Sequence, residues 1–178
     1  SMQSVFILAL LSIFALLAIP LKSYVQPLII MTAIPFGIVG AIIGHWSNGL
    51  MISLLSLNGI LALSGVVVND SLLLVSRFNA LREEGVPVET AVIEACTSRL
   101  RAVLLTSITT FVGLYPILGE TSVQAQFLIP AAASLGYGIL FATVITLLLI
   151  PALLLIYDDV SRLMAKHLLI FKKNSSVL

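Results

Sequence analysis

The stretch SGVVVNDSLLLVSRF, residues 64–78, has the composition of a membrane helix that ends at an arginine, but it contains Asn69 and Asp70 near its centre. Valine and leucine flank the two polar residues on both sides. An ionisable carboxylate inside hydrocarbon is costly and usually marks a functional pathway. The stretch therefore raises two questions: whether the chain lies in a membrane, and what an acid would do there.

The composition of the whole chain answers the first question. Of its 178 residues, 60% are hydrophobic and only 10% are charged, and the mean hydropathy is +1.17. A water-soluble domain of this size could not bury so much apolar surface. We therefore predict an all-α fold, a polytopic bundle of membrane helices.

Five stretches are apolar enough to cross a bilayer, which takes about 20 residues per helix. They cover roughly residues 4–21, 27–45, 52–76, 101–118 and 124–157. The last is too long for one crossing, so part of it should lie outside the hydrocarbon. Residues 4–160 are the predicted transmembrane domain. Residues 161–178 are a basic cytoplasmic tail that could form an amphipathic helix on the headgroups, with its last five residues disordered.

Two local patterns add detail to these spans. Gly37, Gly40, Ala41 and Gly44 recur at three- and four-residue spacing, which favours close approach of another helix in lipid, and Pro35 should kink the same span. Residues 87–97 follow Gly85, and their apolar positions share one helical face. We expect them to form a short helix in the cytoplasmic interface.

The basic residues predict the orientation. All nine Lys and Arg residues fall on one side of the five spans, and this side should be cytoplasmic. The C-terminus is then inside and the N-terminus outside. The first residues, SMQS, have no basic segment or cleavage site of a signal peptide. We therefore expect a larger protein in which an exported segment precedes this chain.

Asp70 lies seven residues before Arg77, and so roughly 10 Å inside the membrane. Such a carboxylate should face a bundle interior or a wet cavity, where it either carries protons or is held protonated as packing. Asn69, the preceding residue, either joins such a relay or only bonds to a neighbouring helix. Thr106 either takes part or bonds its own helix carbonyl. For Arg99, the residues alone favour simple anchoring at the membrane surface.

The sequence offers little support for other chemistry. His45 and His167 lie near opposite membrane faces, and Cys96 has no paired ligand at metal-site spacing. There is no phosphate-binding glycine loop, and nothing indicates nucleic-acid binding. We expect no cofactor, no metal site and no enzymatic activity. An intramembrane protease would need a second catalytic group at a matching depth.

Three motifs carry a resemblance to a known family. GVVVNDSLLLV, RLRAVLLTSITTFVGLYPIL and YGILFATVITLLLIPALLLI, with AIPFGIVGA before them, resemble the C-terminal half of resistance–nodulation–division (RND) efflux transporters. The resemblance covers residues 4 to about 160 and implies that the chain holds helices 8–12 of a twelve-helix, proton-driven exporter.

The resemblance also implies roles and partners. Asp70, Asn69, Arg99 and Thr106 match positions of the family's proton relay, although many drug exporters have Lys-Asn where this chain has Asn-Asp. The implied partners are the N-terminal half of the same transporter, a homotrimer, a periplasmic adaptor and an outer-membrane channel, all at the bacterial inner membrane. The chain alone should not transport. The alternative is a membrane-embedded scaffold in which Asp70 is structural.

Overall fold

The computed structural model describes residues 1–175, with side chains described through residue 169. Over this range the chain is helical and contains no strand. The six helices are α1 (Met2–Leu21), α2 (Val25–Met31), α3 (Ala33–Ser47), α4 (Leu54–Glu83), α5 (Val88–Leu118) and α6 (Val123–Ser175). Taking α2 and α3 together, five are long and apolar enough to cross a membrane. The predicted all-α bundle with five spans is confirmed.

The second span is broken between α2 and α3, and Pro35 accounts for the position of the break. Proline has no N–H to donate to the carbonyl four residues earlier, and its ring crowds that carbonyl. The affected carbonyl belongs to Met31, the last residue of α2. The Thr32 hydroxyl donates to the Ile29 carbonyl, which also accepts a hydrogen bond from the Thr32 backbone N–H.

The glycine strip of α3 packs against α6, as its spacing predicts. A Cβ on Gly40 would lie 2.5 Å from Cβ of Phe141, and one on Gly44 would lie 2.5 Å from Cβ of Tyr137. No larger residue fits at either position without moving the helices apart. α3 and α6 are therefore held at the distance that only glycine allows.

The third span, α4, begins with a capping box and ends in a turn. Ser53 accepts a hydrogen bond from the backbone N–H of Ser56, and the Ser56 side chain accepts one from Ser53. Gly85, with φ of 83°, ends the helix and lets the chain reverse into α5. We call the end of the bundle that holds this turn the basic end, because most arginines lie near it.

Residues 87–97 are helical, but they do not form the separate helix that the sequence suggested. They are the first turns of α5, which runs unbroken from Val88 to Leu118. No glycine or proline interrupts the sequence between Pro87 and Gly113, so nothing ends the helix where a second one was expected. The predicted apolar face is real, since Val88, Ala91, Val92 and Ala95 are buried, but it packs into the hydrophobic core of the bundle.

α6 occupies the centre of the bundle and packs against α2, α3, α4 and α5. By contrast, the buried residues of α1 are only Leu17 and Leu21, so its first half stands away from the other helices. α6 also continues past the bundle to Ser175. The expected disorder of residues 174–178 is therefore wrong for the first two, and the last three lie outside the described residues.

Candidate functional site

Asp70 lies near the middle of α4, at the edge of the helix face that packs into the bundle. The buried residues of α4 recur every three or four positions and include Val67, Ser71 and Leu74. Asp70 is half-buried beside this face, whereas Asn69 is exposed on the opposite side of the helix. The carboxylate therefore borders the core without being enclosed by it.

The other two predicted relay residues lie on α5. Arg99 is half-buried in the first half of this helix, and Thr106 is exposed. The Thr106 hydroxyl donates to the backbone carbonyl of Ala102 at 2.9 Å, the common bond of a membrane threonine. Among the described residues, no hydrogen bond or ion pair joins any two of Asp70, Asn69, Arg99 and Thr106. Their shared role stays a prediction.

Asn69 and Thr106 belong to two outward-facing rows of small and polar residues, which we call the outer stripes. Both glycines in the stripes are open, because a Cβ added at Gly65 or Gly113 would meet nothing within 4 Å. The exposed members are Asn58, Ala62, Gly65, Asn69 and Ser76 on α4, and Ala102, Thr106, Thr109 and Gly113 on α5. Small and polar residues at helical spacing are typical of faces that pack against another membrane helix.

Inside the bundle, hydroxyl groups join α5 to α6. Ser107, next to Thr106 but on the buried side, is in hydrogen-bond contact with the hydroxyl of Thr143, and it also bonds the Val103 carbonyl at 2.9 Å. The hydroxyl of Thr146, one turn further along α6, is buried and has no partner among the described residues. The interior therefore carries hydroxyl groups where α5 meets α6.

At the basic end, an amide pair and several ion pairs connect the helices. Gln26 of α2 and Asn79 of α4 exchange two hydrogen bonds of 2.8 Å each. Arg77 pairs with Glu94 at 3.0 Å and thereby joins α4 to α5. Arg82 approaches Asp158 of α6 at 3.8 Å. This end of the bundle is therefore tied together by polar contacts.

At the opposite end, His45 links α3 to the cap of α4. One ring nitrogen lies 2.9 Å from the carbonyl of Ala41, and the other lies 2.7 Å from the hydroxyl of Ser56. His45 is 3% exposed, so both of its nitrogens need partners within the protein. The arrangement uses the histidine as a structural link.

These cross-helix pairs were not predicted from the sequence. Each joins residues far apart in the chain, and a single sequence gives no sign of which polar residues on different helices meet. The only local hint was position: Gln26 and Asn79 both lie near the predicted ends of spans on the same membrane side. The predicted small-residue strip was more informative, because its spacing lies within one helix.

Comparison with known proteins gives consistent matches. Residues 1–158 match the model of the AcrB/AcrD/AcrF family. The cobalt-zinc-cadmium resistance protein CzcA of Cupriavidus metallidurans is 36% identical over 152 residues, which cover 85% of this chain and 14% of that protein. The cation efflux system protein CzcA of an Alcaligenes species matches with the same identity and coverage.

A solved structure also matches. The X-ray crystal structure of a heavy metal efflux pump superposes with a TM-score of 0.76 and 29% sequence identity. The match covers 84% of this chain and 15% of the pump's chain. The chain thus spans about a seventh of the length of these relatives.

Proposed function

Because the chain belongs to the AcrB/AcrD/AcrF family, we propose that it forms part of the membrane domain of a proton-driven RND exporter. The family match confirms the resemblance drawn from the sequence. The observation that carries the mechanistic proposal is the position of Asp70. It is a half-buried carboxylate in the middle of an apolar helix, at the edge of the face that packs into the bundle. An ionisable residue in the middle of a membrane-spanning helix usually marks a functional site.

In the proposed mechanism, Asp70 takes up and releases the proton that drives export. The uncharged acid tolerates apolar surroundings, whereas the carboxylate needs water or a cation. Protonation therefore changes the free energy of the contacts between α4 and the surrounding helices. As a result, α4 shifts relative to the helices that pack against it. The outer stripes provide room for those neighbours, which we assign to the remaining part of the transporter. Asn69, Arg99 and Thr106 are the proposed partners in the relay.

The whole protein is proposed to be a multi-pass protein of the bacterial inner membrane, with its basic end in the cytoplasm and its N-terminus in the periplasm. The family resemblance supports a trimer that works with a periplasmic adaptor and an outer-membrane channel. As substrates we propose divalent metal cations, because the matched relatives are described as metal resistance and metal efflux proteins. No enzymatic reaction and no cofactor are part of the proposal.

Asp70→Asn in the complete transporter is the decisive variant. Asparagine keeps the size and hydrogen-bonding capacity of the side chain, but it cannot ionise. We expect export to fall at least tenfold while the protein inserts and accumulates normally. The measurement is uptake of Zn²⁺, Co²⁺ or Cd²⁺ into everted vesicles whose lumen has been acidified, at matched protein abundance. Asp70→Glu, which retains the titratable group, should keep part of the activity.

A matched control is Ser76→Ala, because Ser76 is an exposed polar residue of the same helix and carries no titratable group. It should leave export unchanged. Export by Asp70→Asn at the wild-type rate would favour the alternative, a membrane-embedded scaffold in which Asp70 is structural. Proton-coupled export of organic drugs in place of metal ions would overturn the substrate proposal only.

A further inference from the structure

The last part of α6 extends beyond the bundle. Asp158, through Arg82, is the last residue of α6 with a described ion pair or hydrogen bond to another helix. From residue 159 to residue 169 every side chain is exposed. α6 nevertheless runs unbroken to Ser175. We call residues 159–175 the α6 extension.

The α6 extension has an apolar face on which no described residue packs. Val160, Leu163, Met164 and Leu168 recur at the i, i+3, i+4 and i+8 spacing that places side chains on one side of a helix. This side also includes His167, and Leu169 lies on the opposite side. Their exposed fractions run from 45% for Val160 to 71% for Leu168. A face of this kind is stable in water only when something covers it.

The charges beside this face are basic. Arg162 and Lys166 lie four residues apart, off the apolar side, and both are exposed, and Arg162 also pairs with Asp158 of the same helix at 2.6 Å. The sequence continues with Lys172 and Lys173, and no acidic residue follows Asp159. An apolar face flanked by Lys and Arg is typical of helices that lie in the surface of a bilayer containing anionic lipid.

We propose that the α6 extension binds the anionic phospholipid surface of the leaflet from which α6 emerges. Val160, Leu163, Met164 and Leu168 lie between the lipid headgroups, and Arg162 and Lys166 contact lipid phosphates. To reach the surface, the extension tilts away from the axis of the span, and the bend lies near Asp158, where the ties to the bundle end. The proposal does not depend on export or on the role of Asp70.

Two observations favour the bilayer over another protein as the covering partner. The extension is continuous with a membrane span, so the bilayer surface is the nearest surface it meets. Its charge is also complementary to anionic headgroups, which attract each juxtamembrane Lys or Arg. A second copy of the chain would bring the same basic residues together and repel.

The test measures where each side of the extension lies. The full chain carries Cys96→Ser and a single nitroxide at Met164→Cys, on the apolar face, or at Ala165→Cys, on the next position around the helix. The protein is placed in nanodiscs of phosphatidylcholine with or without phosphatidylglycerol. With phosphatidylglycerol, we expect the label at 164 to gain access to oxygen, which concentrates in lipid, and to lose access to a water-soluble nickel complex. The label at 165 should remain accessible from water.

The paired variant Arg162→Gln/Lys166→Gln should weaken the preference for anionic lipid by roughly tenfold or more, because two attractive charges are lost. Its thermal unfolding should match that of the parent, since neither side chain packs in the core. Equal water access at 164 in both lipid compositions would overturn the proposal. So would protection at 164 that is independent of phosphatidylglycerol and accompanied by spin–spin broadening, which would indicate a second copy as the partner.

Discussion

Gly44 and Gln26 show how single residues set the distances between the helices. Gly44 fixes the closest approach of α3 to α6, because Tyr137 occupies the space that a side chain would need. Gln26 fixes the start of α2 against the end of α4 through two hydrogen bonds to Asn79. Gly44 acts because it has no side chain, and Gln26 acts through its hydrogen bonds to Asn79. Substitutions at the two positions should therefore destabilise the bundle in different ways.

Gly44→Ala should destabilise the bundle by about 1–3 kcal/mol, the usual cost of forcing a methyl group into a packed site. The measurement is thermal unfolding of the purified chain in detergent. Gly65→Ala is the matched control, because a Cβ at Gly65 meets nothing within 4 Å. The control should be neutral, or stabilising by up to about 1 kcal/mol. Equal effects of both substitutions would contradict the contact between α3 and α6.

Gln26→Leu should cost about 1–3 kcal/mol, because it leaves the Asn79 amide without its partner. Replacing both residues by leucine should cost less than the sum of the two single changes, since no unpaired amide remains. A double-mutant cycle of unfolding free energies measures this coupling. Strictly additive effects would mean that the two amides do not pair.

Local properties of single residues could be predicted from the sequence, whereas contacts between residues of different helices could not. The expected membrane depth of Asp70 rests on its sequence distance to Arg77, and the close packing of Gly40 and Gly44 follows from their spacing, since both are local properties. The partners of Gln26, Ser107 and His45 depend on which helices become neighbours. Local pattern does not specify this.

At the scale of the helix, breaks and continuations follow from proline and glycine. The second span divides near Met31 because of Pro35, and α4 turns into α5 at Gly85. Pro35 predicted a kink in the second span. The sequence also predicted a helix boundary near residue 97, at the end of the short helix expected in the interface. A change of polarity does not end a helix when good helix formers continue through it.

Pro35→Ala should join α2 and α3 into one helix. Alanine restores the N–H that can bond the Met31 carbonyl, so backbone amides around residues 33–36 should exchange with deuterium more slowly. Hydrogen exchange read by mass spectrometry on peptides that cover residues 25–47 checks this. Unchanged exchange would mean that packing against the neighbouring helices, and not the proline, sets the break.

At the scale of the whole molecule, the charges divide the bundle into two unlike ends. Arg77, Arg82 and Arg162 gather at one end with their acidic partners, whereas the other end is joined by His45 and serine hydroxyls. Because the number of spans is five, assigning one loop to a side of the membrane also assigns a side to each terminus. The number and type of spans were predictable from composition, because each span must by itself be apolar enough and long enough to cross the bilayer.

Single cysteines in a Cys96→Ser background test the proposed orientation. Glu84→Cys lies in the turn at the basic end, and Glu120→Cys lies in the turn between α5 and α6. A membrane-impermeant maleimide added to intact spheroplasts should label residue 120 and leave residue 84 unlabelled until the membrane is opened. The opposite pattern would reverse the proposed topology.

The central position of α6 has a consequence for how the bundle is made. α6 follows the other five described helices in the chain, and α2, α3, α4 and α5 all pack against it. During synthesis, the earlier spans enter the lipid before α6 is made, so Gly40, Gly44 and Ser107 are not yet covered by α6. α6 is therefore made after the helices that pack against it, and the bundle without α6 is the form most accessible to a membrane protease. A substitution that weakens α6 should shorten the lifetime of newly made protein more than that of protein already assembled.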